Sequence, residues 1–170
     1  MSLFATAFRK AHTAALLAFR RLPAPVRRSL VRMGTPGYTV GAVCVVEHEG
    51  RMLFLRQPHR HGWSLPGGLL KRGENAAAGV EREVYEETGL RIKVGRPVLT
   101  EVHPRVRRVD VIFRVATESR PDVRVGGEAK DYRWWRPDEL PGADDSTRDI
   151  LAALAAEEPD HGRILASGDR

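Results

Sequence analysis

Glu83, Glu86 and Glu87 stand at positions i, i+3 and i+4 of the stretch GGLLKRGENAAAGVEREVYEETGL, which runs from Gly67 to Leu90. If this stretch is helical, the three carboxylates share one face. Like charges held that close repel by about a few tenths of a kcal/mol per pair. A hard divalent cation reverses the sign, because Mg²⁺ and Mn²⁺ prefer carboxylate oxygens. Val80 and Val84 fall on a neighbouring face and would anchor the same helix to a sheet. Carboxylates toward a cleft and valines toward a core form one coherent arrangement; the plainer alternative is a solvated acidic helix. Ahead of the helix, Gly67-Gly68 lets the backbone turn tightly and brings carbonyls near it. Glu74 lies at the helix start, where negative charge is favoured. It also lies about two turns before Arg82, so an ion pair between them would brace the loop against the helix.

Other elements must position these groups. Asn75 is placed to cap a helix running to Thr88, with Gly89 as its C-terminal stop. Upstream, YTVGAVCVVEH (from Tyr38) is almost wholly apolar and predicts a buried strand. EHEGR reads as a hairpin turn, MLFLRQ as the return strand, PHRHGW as a loop and SLPGGLLKRGE as irregular. Downstream, RIKV (91–94), PVLTEVH, RRVDVIFRVAT and YRWWRP read as strands, with a long polar loop, ESRPDVRVGGEAKD, before the last. Trp134 and Trp135 point to opposite faces of that strand, which predicts one of them in the core. Trp63 is expected to pack the loop under the acidic stretch or to stack on a base. DELPGADD is a turn, STRDILAALAAEE a helix capped by Ser146 or Thr147, and 159–170 a frayed tail. Strands on both sides of a central helix, with a closing helix, predict an α/β fold: an α/β/α sandwich on a mixed sheet.

Gly68-x5-Glu74-x7-Arg82-Glu83-Val84-x-Glu86-Glu87-x-Gly89-Leu90 matches every fixed position of the signature of the Nudix hydrolases. The chain resembles that family from about Tyr38 to Glu158, with the first 35 residues outside it. The resemblance implies a Mg²⁺- or Mn²⁺-dependent hydrolase that splits a pyrophosphate linkage in a nucleoside diphosphate joined to another group. It implies Glu83, Glu86 and Glu87 as metal ligands, with the Gly67 carbonyl as a further one and Arg82 and Glu74 in support. The general base is either a carboxylate of the box or one on a later loop. Glu128, flanked by Gly126-Gly127, is the first choice there as an extra ligand or base, and Asp131 the other candidate.

The box does not choose the substrate; loops and neighbouring strands do. Pro104 resembles a proline of the ADP-ribose-hydrolysing branch, so ADP-ribose or a related nucleotide sugar comes first. A nucleoside triphosphate, oxidised or not, a 5′-RNA end, and a nucleotide-binding domain without catalysis are the alternatives. Arg56, His59, Arg60, His61, His103 and Arg105 flank the places where a cleft would open, and arginines there would bind phosphate bidentately. Cys44, the single cysteine, excludes a disulfide framework or a cysteine-based metal site within one chain and reads as a small buried hydrophobe.

The net charge of +6 is unevenly spread. Residues 1–36 hold Arg9, Lys10, Arg20, Arg21, Arg27, Arg28 and Arg32 and no acid, whereas the rest is nearly balanced. This predicts a basic helical extension (1–36) ahead of a hydrolase domain (37–170). Phe4, Phe8, Ala11, Ala15, Phe19 and Leu22 form one helical stripe; Pro23 ends that helix and Pro25 opens a second. The helices are expected to pack on the domain or a second copy as a homodimer, to lie on an anionic membrane surface, or to guide RNA. No run is apolar for the roughly 20 residues of a membrane span. The short AALLAF run does not read as a signal peptide, and the expected location is cytoplasmic.

Overall fold

A computed structural model describes residues 3–156, with side chains from His12 onward. The side chains of Phe4, Phe8 and Ala11 in the expected stripe, and the tail at 159–170, lie outside the described residues. The chain divides into two compact units between Tyr38 and Thr39.

The first unit is helical. α1 spans Leu3–Arg21 and α2 spans Ala24–Gly34. Pro23 sits between them with an extended backbone, and Pro25 falls in the first turn of α2, where its missing N–H costs nothing. No residue of α2 is buried.

The second unit is built around one long strand, β1 (Thr39–His48). β2 (Arg51–Arg56) returns antiparallel through the tight turn at Glu49-Gly50, pairing Glu47 with Met52. Two short strands follow in the segment expected to be irregular: β3 (Trp63–Ser64), which pairs with β2, and β4 (Gly67–Leu69), which pairs with β1. The helix α3 (Ala76–Thr88) comes next, then β5 (Leu99–His103), β6 (Arg108–Ala116), β7 (Asp131–Trp135) and α4 (Asp145–Ala155). β6 runs parallel to β1 along nearly its whole length, and the other pairs are antiparallel. The seven strands form one mixed sheet in the order β3-β2-β1-β6-β5, with β4 on β1 and β7 on β2. β4 therefore occupies the N-terminal part of one β1 edge and β2 its C-terminal end.

Alternation along the strands feeds two cores. Ala42, Cys44, Val46, Leu53, Leu55 and Phe113 pack with Val80 and Val84 of α3. Val43, Val45, Phe54 and Ile112 pack on the opposite face with Ile150 of α4. This is an α/β/α sandwich, as the element order implied. Because both faces are covered, both tryptophans of β7 are used: Trp134 joins the α3 core and Trp135 the α4 core. The expected core tryptophan is Trp134, 6% exposed, while Trp135 is partly buried on the other face. Trp63 lies edge-on to Trp135, with ring centroids 4.6 Å apart, and packs against the α4 core rather than under the box. Burial pushes the Cys44 thiol up to about 12, consistent with an inert hydrophobe.

Two local expectations change. Residues 91–94 are not a strand: Ile92 and Val94 pack on the α3 core, but the Val94 N–H donates to the Glu81 carboxylate at 3.0 Å instead of a neighbouring strand. The α4 cap is Asp144, not Ser146 or Thr147; its Oδ1 accepts the Thr147 N–H at 2.7 Å. Asp and Ser are comparable caps, and Asp144 is the one also engaged by Arg60, at 2.7 Å.

Candidate active site

α3 is held at both ends by its own sequence. Asn75 Oδ1 accepts the Ala78 N–H at 2.8 Å, and Gly89 closes the helix in the left-handed conformation, its N–H bonded to the Tyr85 carbonyl. With Val80 and Val84 fixed in the core, Glu83, Glu86 and Glu87 turn toward a cleft of about 640 Å³ that Gly67, Gly68 and Glu128 also line. The preceding loop is braced as expected. Arg82 grips Glu74 bidentately, Nε to Oε1 at 2.8 Å and Nη2 to Oε2 at 2.9 Å. Those bonds, and the Lys71 N–H at 2.8 Å, hold the Glu74 carboxyl down at about 2. The remaining guanidinium nitrogen, Nη1, reaches Glu83 at 2.7 Å and Glu86 at 3.1 Å, so one arginine partly neutralises the acidic face.

Backbone shape decides how the loop meets the helix. Gly67 sits against β1 with φ +145°, and a Cβ there would stand 2.3 Å from the Ala42 carbonyl oxygen. Only glycine fits this approach. Its N–H turns away from β1 and donates to Glu87 Oε2 at 2.9 Å. A Cβ on Gly68 would lie 2.7–2.9 Å from the Glu83 carboxyl group, so this second glycine leaves the space that Glu83 occupies.

Glu87 is the most enclosed of the three, only 6% exposed. Gln57, itself buried, donates from Nε2 to Glu87 Oε1. Desolvation lifts the Glu87 carboxyl to about 7, against the pull of the Gly67 N–H and with a further push from the Glu83 charge. The Gln57 Oε1 is buried with no hydrogen-bond partner among the described residues.

The loop before β7 completes the far wall. The Arg124 N–H donates to the Thr88 carbonyl and the Gly126 N–H to the Glu87 carbonyl, both at 2.9 Å. These contacts tie the loop to the C-terminal end of α3 and carry Glu128 to the cleft. There Glu128 Oε2 lies 3.0 Å from His59 Nδ1. Asp131, the other late-loop carboxylate, pairs instead with Arg133 and does not line the cleft.

The candidate substrate contacts separate into three groups. His59 and Arg60 line the cleft. Arg56 and His61 do not; Arg56 lies over the Trp63 ring at 6.0 Å. His103 and Arg105 line a second cleft, shared with Ser146, Arg148 and Asp149 at the start of α4. Arg108 lines both clefts and is anchored by fully buried Asp110 at 2.8 Å. Sequence reading passed over Arg108 and Gln57. Arg108 stands in the run VRRVD among similar arginines, and nothing local marks Gln57 as the partner of a glutamate 30 residues away.

Several observations bear on a divalent cation. The donors are hard carboxylate oxygens on one wall, the space over Gly68 fits a carboxylate and no side chain, and a buried amide oxygen of Gln57 lacks a donor. Among the described residues no three His, Cys, Asp or Glu groups already stand in a metal cage. Arg82 occupies part of the acidic face instead, through Glu83 and Glu86. The residues fit the chemistry of Mg²⁺ or Mn²⁺ in kind.

Comparison with known proteins agrees with this layout. The NUDIX domain profile matches residues 35–154. A "MutT-like protein" of Streptomyces ambofaciens is 38% identical over 98 residues, 56% of this chain and 62% of that protein. A CMP-5′-(N-acetyl-N-hydroxy-3-aminopropyl)phosphonate hydrolase of Streptomyces rubellomurinus is 33% identical over 124 residues, 67% of this chain and 59% of that one. The chain thus spans less than two thirds of the length of either relative. Among solved structures, a NUDIX hydrolase from Nitrosomonas europaea superposes with a TM-score of 0.60 at 25% identity, covering 69% of each chain. Sharing the complete box, the sandwich that presents it and the matching profile, the chain belongs to the Nudix hydrolase family.

Proposed function

We propose that this protein hydrolyses a pyrophosphate bond in a nucleoside diphosphate joined to a second group, with ADP-ribose or a nucleotide sugar as the leading substrate type and Mg²⁺ or Mn²⁺ as cofactor. The observation that carries the reading is the meeting of Glu83, Glu86, Glu87 and Glu128 in one cleft whose remaining wall includes Arg60, Arg108 and His59. Carboxylates on one side and cations on the other suit a bridging cation and a polyanionic substrate together. The relative whose named substrate joins CMP to a phosphonate acts on a molecule of the same general build.

Glu83, Glu86 and Glu87, with the Gly67 carbonyl, would hold the cation, and Glu128 would serve as a further ligand or as the base. When bound, the cation neutralises phosphate charge, lowers the pKa of an attacking water and stabilises the leaving phosphate. The chain's own residues do the rest. Gln57 and the Gly67 N–H fix the Glu87 carboxylate in place. Arg82 holds the loop to the helix and orients Glu83. Arg60 and Arg108 are placed to take substrate phosphate oxygens at the cleft wall. Where Glu128 is the base it accepts the proton of the attacking water, with a box glutamate the alternative. The ring of His59, 3.0 Å away, orients the Glu128 carboxylate.

A substrate panel tests the reading: ADP-ribose, nucleotide sugars, nucleoside triphosphates including an oxidised guanine nucleotide, and 5′-triphosphorylated RNA. Each is assayed with Mg²⁺, with Mn²⁺ and with chelator. Cation-dependent release of a nucleoside monophosphate from the first two classes is expected, with Glu87→Gln lowering kcat by roughly tenfold or more. Preference for a triphosphate would favour the second substrate class, which the relative named a putative 8-oxo-dGTP diphosphatase (28% identical) also suggests. Nucleotide binding without turnover would reduce the protein to a non-catalytic Nudix domain.

A further inference from the structure

We propose that the helical unit of α1 and α2 is a docking surface for an anionic lipid bilayer. The proposal does not rest on the hydrolase reading. Leu16, Leu17, Val26, Leu30, Val31 and Met33 are all more than 40% exposed, with Met33 at 74%. Val26, Leu30 and Met33 fall at i, i+4 and i+7, one continuous stripe along α2. Arg27 borders that stripe, Arg28 and Arg32 stand on the remaining face of α2, and Arg20 and Arg21 close α1. No acidic residue occurs before Glu47, so nothing in the unit neutralises these cations. The Arg27 Nε is shielded from solvent and has no acceptor among the described residues.

Charge selects the occupant. A second copy would bring another set of seven cations, with no acid among residues 1–36, against the first and repel it. RNA would satisfy the charge through its phosphates but leave the apolar stripe in water. A bilayer with anionic headgroups satisfies both: the stripe enters the boundary of headgroup and acyl chain, Arg27 lies beside it, and the arginines on the upper face reach lipid phosphates at the end of long stems. No helix among the described residues is long and apolar enough to cross a membrane, so the contact is one of lying on the surface.

The test is co-sedimentation of the full chain with vesicles of phosphatidylcholine alone and of phosphatidylcholine mixed with phosphatidylglycerol, at low and high salt. Binding to the mixed vesicles only, weakened by salt, is expected. Replacing Arg27, Arg28 and Arg32 together by Gln should weaken partitioning roughly a hundredfold, from roughly fivefold per charge. Leu30→Ser with Met33→Ser should weaken it by tenfold or more, about the loss from two buried apolar side chains. These are exposed helix positions, and circular dichroism checks that helicity is kept; the wild-type comparison of lipids and salts stands without the variants. Failure to bind the mixed vesicles, or equal binding to both kinds, would overturn the proposal. So would tighter binding to single-stranded RNA than to lipid, or a lipid-independent dimer in light scattering that Leu30→Ser with Met33→Ser dissociates.

Discussion

Burial raises the Glu87 carboxyl from its ordinary 4.5 to about 7, with the Gly67 N–H opposing and the Glu83 charge assisting. A carboxyl whose native pKa lies above its unfolded value favours the folded state most when protonated. Its contribution is therefore fully present below about pH 4.5 and is lost as pH rises through about 7. The loss amounts to about 3 kcal/mol at most. Urea unfolding of the chelated protein across that range should show the fall, and Glu87→Gln should flatten it. Glu74 has the opposite sign: held near 2 by Arg82, it stabilises above its ordinary pKa and is lost only in strong acid. A cation in the cleft would offset the cost of ionised Glu87, so added Mg²⁺ should restore stability near neutral pH in the wild type more than in the variant. At this scale the three box glutamates were legible from their spacing. Gln57, which holds one of them, was not, because its role depends on β2 ending beside α3.

Among the elements, the loop before β7 offers the sharpest test of how a segment places a residue. A Cβ on Gly126 would stand 2.7 Å from the Glu86 carbonyl oxygen, a backbone atom that cannot move aside cheaply. Gly126→Ala should therefore push the loop off the end of α3, cost about 1–3 kcal/mol and displace Glu128. If the effect on turnover acts through Glu128, adding Gly126→Ala to Glu128→Gln should lower kcat little beyond Glu128→Gln alone, and a double-mutant cycle measures this. Two fully additive losses would separate the loop from Glu128. The caps of α3 were readable because capping chemistry is local. The α4 cap and the irregular segment at 91–94 were misread for the converse reason. Their backbone donors and caps are settled by Asp144 and Glu81, side chains whose positions depend on more distant contacts.

For the whole molecule, among the described residues both cores are built from positions beyond 41. A chain beginning at Gly37 should therefore unfold in one cooperative transition, within about 1 kcal/mol of the full protein, and keep its hydrolytic rate on soluble substrates. Loss of cooperativity would show that the boundary lies elsewhere or that the helices complete the fold. The sequence by itself determined the long strands and the helices, the helix carrying the acidic face, the glycines beside it and the unbalanced charge of the first 36 residues. These follow from periodicity, backbone freedom and composition, which are properties of neighbouring residues. Only the tertiary structure decided that Arg108 rather than Arg56 or His61 lines the cleft, that Glu87 is buried against Gln57, and that both tryptophans of β7 find a core. Those outcomes depend on which strands pair and which faces are covered, and pairing joins residues whose separation along the chain carries no local signature.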